Sequence, residues 1–500
     1  MVEVMLSGQS IPRFHFRMAI TVLLFYYSVL LLFSRSFLQD PDTLWHIRTG
    51  QWILDHGSVP VVDSYSYTAS GQRWISGQWL AEIIFYLAYR LGEWRGIVIL
   101  STLLCAAIIA TLCRYLLRNL RFSVAIAWTA ITAVAISPHF LARPHLFSYL
   151  LILVWVSTLV DSYDRTNFKP PTLFLCVIIV IWANLHGSFT LGLVFLGVFV
   201  IYSCYRNALL QDYATCRRDL ILLIIVGVCA LVTPYGIFSA LLTLEVKNLK
   251  YALKNISEWH TPDFQQQRIH LFLFVSLLMA LVGLGIRVRG PRLIVFGIIL
   301  VLGLSHTRGL VILFLLMPVI LARPLNECLP WFRPVGTNIL PDSQTTDAFD
   351  PILFYLQRRS SVIASVFLSI AVLVTAVSWH RTNVGPPESV APKKAIEFVR
   401  RAGITGNVFN SFNFGGYLIF SGIPTFIDGR IPPYSDDFVR RTFEAVQLAD
   451  IDDSFRLLDE YKVNWVILRP VEPLTKALAR SGLWDEIYSD KYSVVFLRRE

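Results

Sequence analysis

The chain has 500 residues, of which 55% are hydrophobic and only 16% are charged, and its mean hydropathy is +0.57. Soluble domains are about 45 to 50% apolar, so this composition excludes an ordinary soluble enzyme and indicates an integral membrane protein. The formal net charge is +10. Basic loops at a membrane surface account for this excess, so we expect no nucleic-acid partner.

The first apolar run, residues 18–34, contains no charged residue and with its flanks reaches the roughly 20 residues that cross a bilayer. Arg13 and Arg17 precede it and no small-residue cleavage site follows, which predicts an uncleaved anchor with a cytoplasmic N-terminus. Ten further runs bring the expected spans to about eleven. They are 96–113, 122–138, 146–161, 172–184, 188–203, 219–235, 269–286, 293–305, 307–322 and 362–379.

The loops between these spans differ in charge. The loops expected inside the cell are RYLLRNLR (114–121), DRTNFK (164–169), CRRD (216–219), RVRGPR (287–292) and QRRS (357–360), and every one is basic. An excess of Lys and Arg in short loops is typical of the cytoplasmic side. We therefore expect a protein of the plasma (bacterial inner) membrane, with the N-terminus inside and the C-terminal region outside.

The segments expected on the outer side carry histidine, arginine, tryptophan and acids instead. They are the first outer loop (about 37–95), SPHFLARPH (137–145), ANLHGS (183–188), TPYG (233–236) running on to SEWHTP (257–262), and SHTRG (305–309). Polar side chains that converge from several spans are typical of a functional site. For any single residue, helix capping or interfacial anchoring is the alternative interpretation.

Away from their ends, the apolar runs contain no Asp, Glu, Lys or Arg. Ion-coupled carriers place ionisable groups near the membrane midplane, so a proton-driven transporter is disfavoured. No GxxxxGK[ST] phosphate loop is present, which argues against nucleotide hydrolysis. The seven cysteines lie in spans or inner loops without CxxC spacing, so we expect neither disulfides nor a structural zinc site.

After residue 380 the composition becomes that of a soluble α/β domain. We therefore divide the chain into a transmembrane domain, 1–380, and an extracytoplasmic domain, 381–500. The patterns predict helices at 391–403, 435–448 and 452–462 and a last helix after the strand NWVILR, with further strands at NVFN, GGYLIF, DEIYSD and YSVVFLRR. GxSxG, GxGxxG and HExxH are absent from it, so we expect it to shape or cover the outer site, with structural support as the alternative.

The stretch DPDTLWHIRTGQWILDHG (40–57) predicts a helix at the membrane surface. Pro41 disfavours helical geometry for Asp40 and suits the first helical position, so Asp40 is the expected N-cap and Gly57 the expected stop. Asp42 and His46 would share one helix face. Capping explains one acid but not the second, which makes this stretch a candidate catalytic loop.

With these residues in view, the sequence resembles the GT-C superfamily of polyprenyl-phosphate-dependent glycosyltransferases, and in particular a group of bacterial integral-membrane members. The resemblance rests on DPDTLWHIRTGQWIL, DSYSYT, RPHLFSY, WANLHGSF, and NFGGYLIF with FIDGR, and it covers nearly the whole chain. The expected fold is a polytopic α-helical membrane protein of GT-C type, with about 11 spans and a C-terminal soluble α/β domain.

The resemblance implies transfer of a sugar from a polyprenyl-phosphate donor to a glycan, lipid or protein acceptor at the outer face, with inversion. In that family an aspartate of the first outer loop is the general base, and by position the candidates are Asp40 and Asp42. Several members have another acid in the second outer loop, where this chain has SPHFLARPH. A divalent metal is therefore doubtful, and we expect no other cofactor. The candidate substrate- and phosphate-binding residues are His46, His139, Arg143, His145, His186, Trp259, Arg308, Asp428 and Arg430.

The chemistry of the leaving group independently favours cationic residues at the site. A lipid phosphate gains negative charge as the glycosidic bond breaks. Arg143 and Arg308 are suited to bidentate phosphate contacts, and His186 can add a hydrogen-bond donor. The alternative for the two arginines is snorkelling toward lipid head groups.

Two other functions stay open. One is a flippase or carrier for lipid-linked glycans, which would need a polar path through the bilayer, and the other is a non-catalytic assembly component.

Overall fold

The computed structural model describes residues 2–164, 168–247, 249–265, 268–329, 332, 350–380 and 384–499. Within these ranges the chain forms a large helical part and a small mixed α/β part. The expected domain boundary after residue 380 adjoins residues 381–383, which lie outside the described ranges. Parts of two expected inner loops, 165–167 and most of 330–349, also lie outside them.

In chain order, the helices of the first part are α1 (Val2–Leu32), α2 (Asp42–His56), α3 (Trp79–Asn119), α4 (Phe122–Ile136), α5 (His145–Tyr163), α6 (Thr172–Leu185), α7 (Phe189–Leu209), α8 (Tyr213–Cys229), α9 (Phe238–Lys247), α10 (Lys250–Asn255), α11 (Arg268–Gly283), α12 (Pro291–Ser305), α13 (Thr307–Cys328) and α14 (Asp350–Trp379). Each of the eleven predicted apolar runs coincides with one of these helices. Helices α2, α9 and α10 do not correspond to any of the predicted apolar runs.

Among the described residues, seven helices are long and apolar enough to cross a membrane: α1, α3, α4, α5, α7, α13 and α14. Helices α6, α11 and α12 are apolar but shorter. The positions of the predicted spans are therefore matched by helices, whereas the number of membrane crossings stays a prediction.

Helix α3 lies at the centre of the helical part, where it packs against α1, α2, α4, α5 and α13. It extends further toward the N-terminus than predicted, since residues 79–95 were assigned to the outer loop. A kink at Gly92 and Glu93, where Glu93 has a φ of 50°, separates this extension from the predicted span. The N-terminal segment of α3 packs against α2, which belongs to the same predicted outer loop.

Helix α2 has the predicted stop, but the predicted N-cap Asp40 is wrong by one residue. Pro41, with a helical φ of −66°, is the N-cap, because its carbonyl accepts the N–H of Leu44, and it provides no side-chain cap. Asp40 lies just before it, and its Oδ1 accepts the backbone N–H of Asp42 at 2.8 Å. Gly57 ends it in the left-handed conformation. At Gly50 the helix approaches the backbone of α3 so closely that a Cβ would overlap the carbonyl of Glu82. This close packing fixes α2 on α3.

The C-terminal part contains α15 (Lys393–Arg401), β1 (Asn407–Asn410), α16 (Gly415–Phe420), α17 (Asp436–Val446), α18 (Ile451–Glu460), β2 (Val463–Leu468), α19 (Pro473–Arg480), β3 (Trp484–Ser489) and β4 (Val494–Arg498). The strand order is β1-β2-β4-β3, with β1 parallel to β2 and the other pairs antiparallel. Apolar side chains are buried on both faces of the sheet, against α15 and α16 on one face and α17 to α19 on the other. The predicted sheet covered by helices is confirmed.

One predicted strand is wrong. GGYLIF forms α16, in which Leu418 and Ile419 are buried. A Cβ on Gly416 would overlap the carbonyl oxygen of Pro41, so the first turn of α16 packs directly on the start of α2. Packing of this turn against another helix decides the conformation here, and it overrides the strand preference of a short aromatic and β-branched run.

The first outer loop and the C-terminal part are joined by backbone hydrogen bonds. The N–H of Tyr67 donates to the carbonyl of Thr425 at 3.2 Å, and the N–H of Thr425 donates to the carbonyl of Tyr65 at 3.0 Å. Asp436, at the start of α17, accepts the backbone N–H groups of Tyr251 and Ala252 at the start of α10. The C-terminal part therefore lies directly on the helices and loops that form the candidate site.

Candidate active site

Arg143 is the centre of a cluster of three carboxylates. Its Nη1 lies 3.1 Å from Asp40 Oδ2, and its Nη2 lies 2.8 Å from Asp42 Oδ2. Nη1 also donates to Oε1 of Glu258, in the 3₁₀ turn Ser257–Trp259. Three separate segments of the chain thus meet at one guanidinium group.

The backbone around Arg143 explains why it lies beside the start of α2. The N–H of Ala142 donates to the carbonyl of Phe37 at 2.9 Å, and the hydroxyl of Thr43 donates to the carbonyl of Ala142 at 2.7 Å. Ala142 and Thr43 are both buried. The SPHFLARPH loop is therefore attached to both sides of the DPDT turn, and the predicted meeting of these two outer segments is observed.

The cluster has an unusual charge balance, because one arginine faces three acids in a largely buried setting. Burial raises the pKa of Asp42, the negative charge of Asp40 adds to this effect, and Arg143 opposes it, so that the pKa is about 7. Glu258 behaves differently: burial acts to raise its pKa, but Arg143 and Arg308 outweigh burial and lower it. Burial acts to lower the pKa of Arg143, but its acidic neighbours raise it further above its ordinary value. Asp42 is thus able to exchange a proton near neutral pH.

Asp42 is also in contact with the C-terminal part. Its Oδ1 accepts a hydrogen bond from Trp45 Nε1 at 3.1 Å. Gly429, the glycine of the FIDGR motif, lies so close that a Cβ there would overlap the same oxygen. The Asp42 carboxylate is therefore positioned by its own helix and by the C-terminal part together.

Arg308 and His186 lie at the edge of this cluster. Arg308 Nη1 is 3.6 Å from Glu258 Oε2, so Glu258 connects the two arginines. Nδ1 of His186 accepts the backbone N–H of Ser188 at 3.1 Å, which leaves the proton on Nε2. Burial, together with the charges of Arg308 and Arg143, lowers the pKa of His186 to about 3, so its imidazole is neutral.

His46 does not join the carboxylate cluster around Arg143, although it was predicted to share a helix face with Asp42. Its Nδ1 is 3.2 Å from Glu82 Oε1, and the two side chains are 2% and 0% exposed. Burial, with the charges of Arg143 and His186, keeps the pKa of His46 well below its ordinary value. This buried pair joins α2 to α3. Asp42 instead contacts Trp45 and Arg143.

The other predicted histidines and Trp259 lie around the cluster without joining it. Nε2 of His145 is 3.2 Å from the carbonyl oxygen of His139, which closes the turn that carries Arg143. The ring of Trp259 packs edge-on against His306 at a centroid distance of 5.3 Å. These contacts fix the segments that carry Arg143 and Glu258.

Asp428 and Arg430 form a separate, fully enclosed group with Asp63. Arg430 donates from Nε and Nη2 to the two oxygens of Asp428, at 2.8 and 2.7 Å, and from Nη1 to Asp63 Oδ1. All three side chains are fully buried. Although burial acts to raise it, Arg430 holds the pKa of Asp428 below its ordinary value. The structure thus places these two candidates in the joint between the first outer loop and the C-terminal part.

Among the described residues, no group of three or more His, Cys, Asp or Glu side chains is arranged to hold a metal ion. The three acids that converge do so around a guanidinium group, which already balances part of their charge.

Comparisons with known proteins identify the fold. No protein-family model and no curated protein matches the sequence. The archaeal oligosaccharyltransferase AglB from Archaeoglobus fulgidus, in complex with an inhibitory peptide and a dolichol-phosphate, is similar in structure, with a TM-score of 0.50 and 11% identity over 91% of this chain and 69% of that chain. ArnT from Cupriavidus metallidurans, bound to undecaprenyl phosphate, gives a TM-score of 0.48 and 15% identity over 96% and 97% of the two chains. The chain therefore shares the fold of AglB over most of its length.

Two residues of the site were not singled out from the sequence. Glu258 stands beside Trp259 in SEWHTP, and its acidic side chain in an outer segment was the available signal. Gly429 stands between two predicted residues, but no pattern in the sequence indicates that it touches Asp42. Its role depends on a contact across nearly the whole length of the chain.

Proposed function

We propose that the protein is a glycosyltransferase that moves a sugar from a polyprenyl-phosphate donor to an acceptor at the outer face of the membrane. The observation that carries this proposal is the meeting of Asp40 and Asp42 with Arg143 beside Arg308. A base for the acceptor and cations for the leaving phosphate are the two requirements of such a transfer. The GT-C fold supports the same reaction class.

Asp42 is the better placed of the two candidate bases. Asp40 uses Oδ1 to accept the backbone N–H of Asp42 and Oδ2 to bind Arg143, and its side chain is 6% exposed. Asp42 is 14% exposed, and its pKa of about 7 lies near the working pH expected of an efficient base. We therefore assign proton abstraction to Asp42, and we assign Asp40 to the turn before α2 and to the position of Arg143.

The proposed reaction is a single displacement. The acceptor hydroxyl oxygen attacks the anomeric carbon while Asp42 takes its proton, and the bond between that carbon and the phosphate oxygen breaks. The electron pair of the broken bond stays on the lipid phosphate. Attack from the face opposite the leaving group inverts the configuration at the anomeric carbon.

The arginines and His186 supply the environment for the leaving phosphate. Guanidinium groups bind phosphate oxygens in a bidentate manner and keep their charge at all relevant pH values. His186 is neutral and offers an N–H from Nε2 without adding a further charge. These fixed donors would stabilise the charge that develops on the phosphate as the glycosidic bond breaks.

We place the site and the C-terminal domain at the extracytoplasmic face, with the N-terminus in the cytoplasm. The basic loops 114–121, 216–219 and 287–292 support this orientation. In this orientation Arg143 and Arg308 would lie at the outer membrane surface, which is where the head group of a lipid-linked phosphate lies.

Glycan analysis of cells with and without the gene tests this function. The proposal predicts that one defined sugar disappears from a surface polymer, lipid or protein, and that a lipid-linked form of that sugar accumulates. If the protein were a flippase, the deleted strain would instead keep the lipid-linked sugar on the inner leaflet, beyond the reach of enzymes added to spheroplasts. Unchanged glycans and lipid-linked sugars in the deleted strain would contradict the proposal.

A further inference from the structure

Glu258 occupies the space between the two arginines assigned to the donor phosphate. Its Oε1 accepts a hydrogen bond from Arg143 Nη1, and its Oε2 lies 3.6 Å from Arg308 Nη1. An anion held by two guanidinium groups marks the position at which those groups would bind another oxyanion. The Glu258 side chain is 27% exposed, so a ligand can reach it.

The backbone of this turn is held by contacts that do not involve the Glu258 carboxylate. The carbonyl of His260 accepts the N–H and the hydroxyl of Thr307, at 2.9 and 3.0 Å. The N–H of Trp259 donates to the carbonyl of Ile256 at 3.0 Å. Rotation of the Glu258 side chain alone would remove its contacts with Arg143 and Arg308, while Arg143 keeps its contacts with Asp40 and Asp42 and the turn stays attached to the start of α13.

We propose that Glu258 is a displaceable substitute for the lipid phosphate, which fills the phosphate position between Arg143 and Arg308 until a donor binds. This inference rests on the proposed function and adds to it the location of the phosphate and a residue that competes for it. Without a donor, the carboxylate pairs with Arg308 and is the third carboxylate around Arg143, after Asp40 and Asp42. A phosphate ester offers more acceptor oxygens than a carboxylate and can replace it.

The same competition has a consequence after transfer. Cleavage of the donor leaves a lipid phosphate with one more negative charge than the phosphodiester had, and two arginines would retain it strongly. Return of the Glu258 side chain to the arginines offsets that attraction and favours release of the product. Glu258 is thus a positioning residue that controls occupancy of the site.

A supporting role for Glu258 makes the opposite prediction. If the carboxylate only held the arginines in a productive geometry, its removal would loosen them and weaken phosphate binding. If it competes with the phosphate, its removal frees the site, and the apparent affinity increases by the fraction of sites that had been blocked. The sign of the change in affinity therefore separates the two roles.

The test is binding of farnesyl phosphate, a short polyprenyl phosphate, to the purified full-length protein in detergent. Glu258→Gln is expected to lower the Kd about tenfold relative to the wild type. Glu258→Ala is expected to change it in the same direction, which keeps the test available if one variant does not fold. Asp263→Asn is the matched control, since Asp263 is an exposed acid of the same segment whose carboxylate accepts the N–H of Gln265, and it should leave the Kd unchanged.

The outcomes distinguish this inference from the proposed function. Binding by the wild type that is unchanged or weaker in both Glu258 variants would overturn the inference alone. Absence of binding by the wild type and by every variant would overturn the lipid-phosphate donor as well. Equal tightening by Asp263→Asn would show a general charge effect and would also overturn the inference.

Discussion

Arg143 Nη2 lies 2.8 Å from Asp42 Oδ2, which joins the candidate base directly to a cation assigned to the leaving phosphate. This contact couples the two halves of the proposed reaction. As the acceptor gives its proton to Asp42, the carboxylate loses its charge and its attraction for Arg143 weakens. The guanidinium group then becomes more available to the phosphate, which gains charge at the same time.

The first prediction concerns the pH dependence of transfer. Asp42 accepts a proton only when it is ionised, and its pKa is about 7, so kcat/KM should fall as the pH decreases through that value. The charge of Asp40 contributes to raising this pKa. Asp40→Asn should therefore move the acid limb of the kcat/KM profile to lower pH. An acid limb at the same pH in this variant and in the wild type would contradict the coupling.

The second prediction concerns Arg308. Arg308→Ala should lower kcat/KM for the lipid-phosphate donor by about 10- to 150-fold, which corresponds to about 1.5 to 3 kcal/mol, because a charge-assisted contact is lost. Arg143→Ala should reduce it as well and should also lower the unfolding temperature, because Asp40 and Asp42 lose their cationic partner. Arg73→Ala removes an exposed arginine of the first outer loop and is the control. Unchanged donor kinetics in both Arg308→Ala and Arg143→Ala would contradict the phosphate-binding role and favour the alternative, in which these arginines contact lipid head groups.

The third prediction concerns the contact between the C-terminal part and Asp42. Gly429→Ala places a Cβ against Asp42 Oδ1, so transfer should fall at least about tenfold while donor binding is retained. Gly197→Ala is the matched control, since a Cβ at Gly197 meets no atom within 4 Å. A fully active Gly429→Ala variant would show that the C-terminal part has no influence on the base.

The fourth prediction concerns orientation. Protease added to intact spheroplasts should digest the chain from about residue 386, whereas the 323–361 loop should be protected. Antibodies against the two segments would report which fragments survive. Protection of the C-terminal domain would place Asp42 on the cytoplasmic side and would remove the proposed access to an outer acceptor.

Much of the fold could be predicted from the sequence because its strongest patterns are local. Apolar runs identify helices such as α1 and α13, and the DPDT turn identifies the start of α2, because burial and capping act over a few residues. The conversion of GGYLIF into α16 could not be predicted, because it depends on contact between Gly416 and Pro41, which are far apart in the chain.

The candidate site shows the same limit. The types of residue needed for the reaction directed attention to Asp42, Arg143 and Arg308. In the structure Arg143 contacts Asp42 directly and is connected to Arg308 through Glu258. The shared helix face of Asp42 and His46 suggested a common role, but Glu82 lies against His46 on the neighbouring helix. Periodicity along one helix cannot reveal which partner a second helix provides.

The most direct test of the account is the sugar transfer activity of Asp42→Asn and Asp40→Asn, each measured with the donor and acceptor that the glycan analysis identifies. Asparagine keeps the size of the side chain but cannot take the proton of the acceptor. Asp42→Asn should reduce transfer by about 100-fold or more, with folding and farnesyl phosphate binding retained. Asp40→Asn should reduce it less, because the side-chain oxygen of asparagine can also accept the backbone N–H of Asp42. Full activity of Asp42→Asn together with loss in Asp40→Asn would assign the base to Asp40, and full activity of both variants would contradict the proposed mechanism.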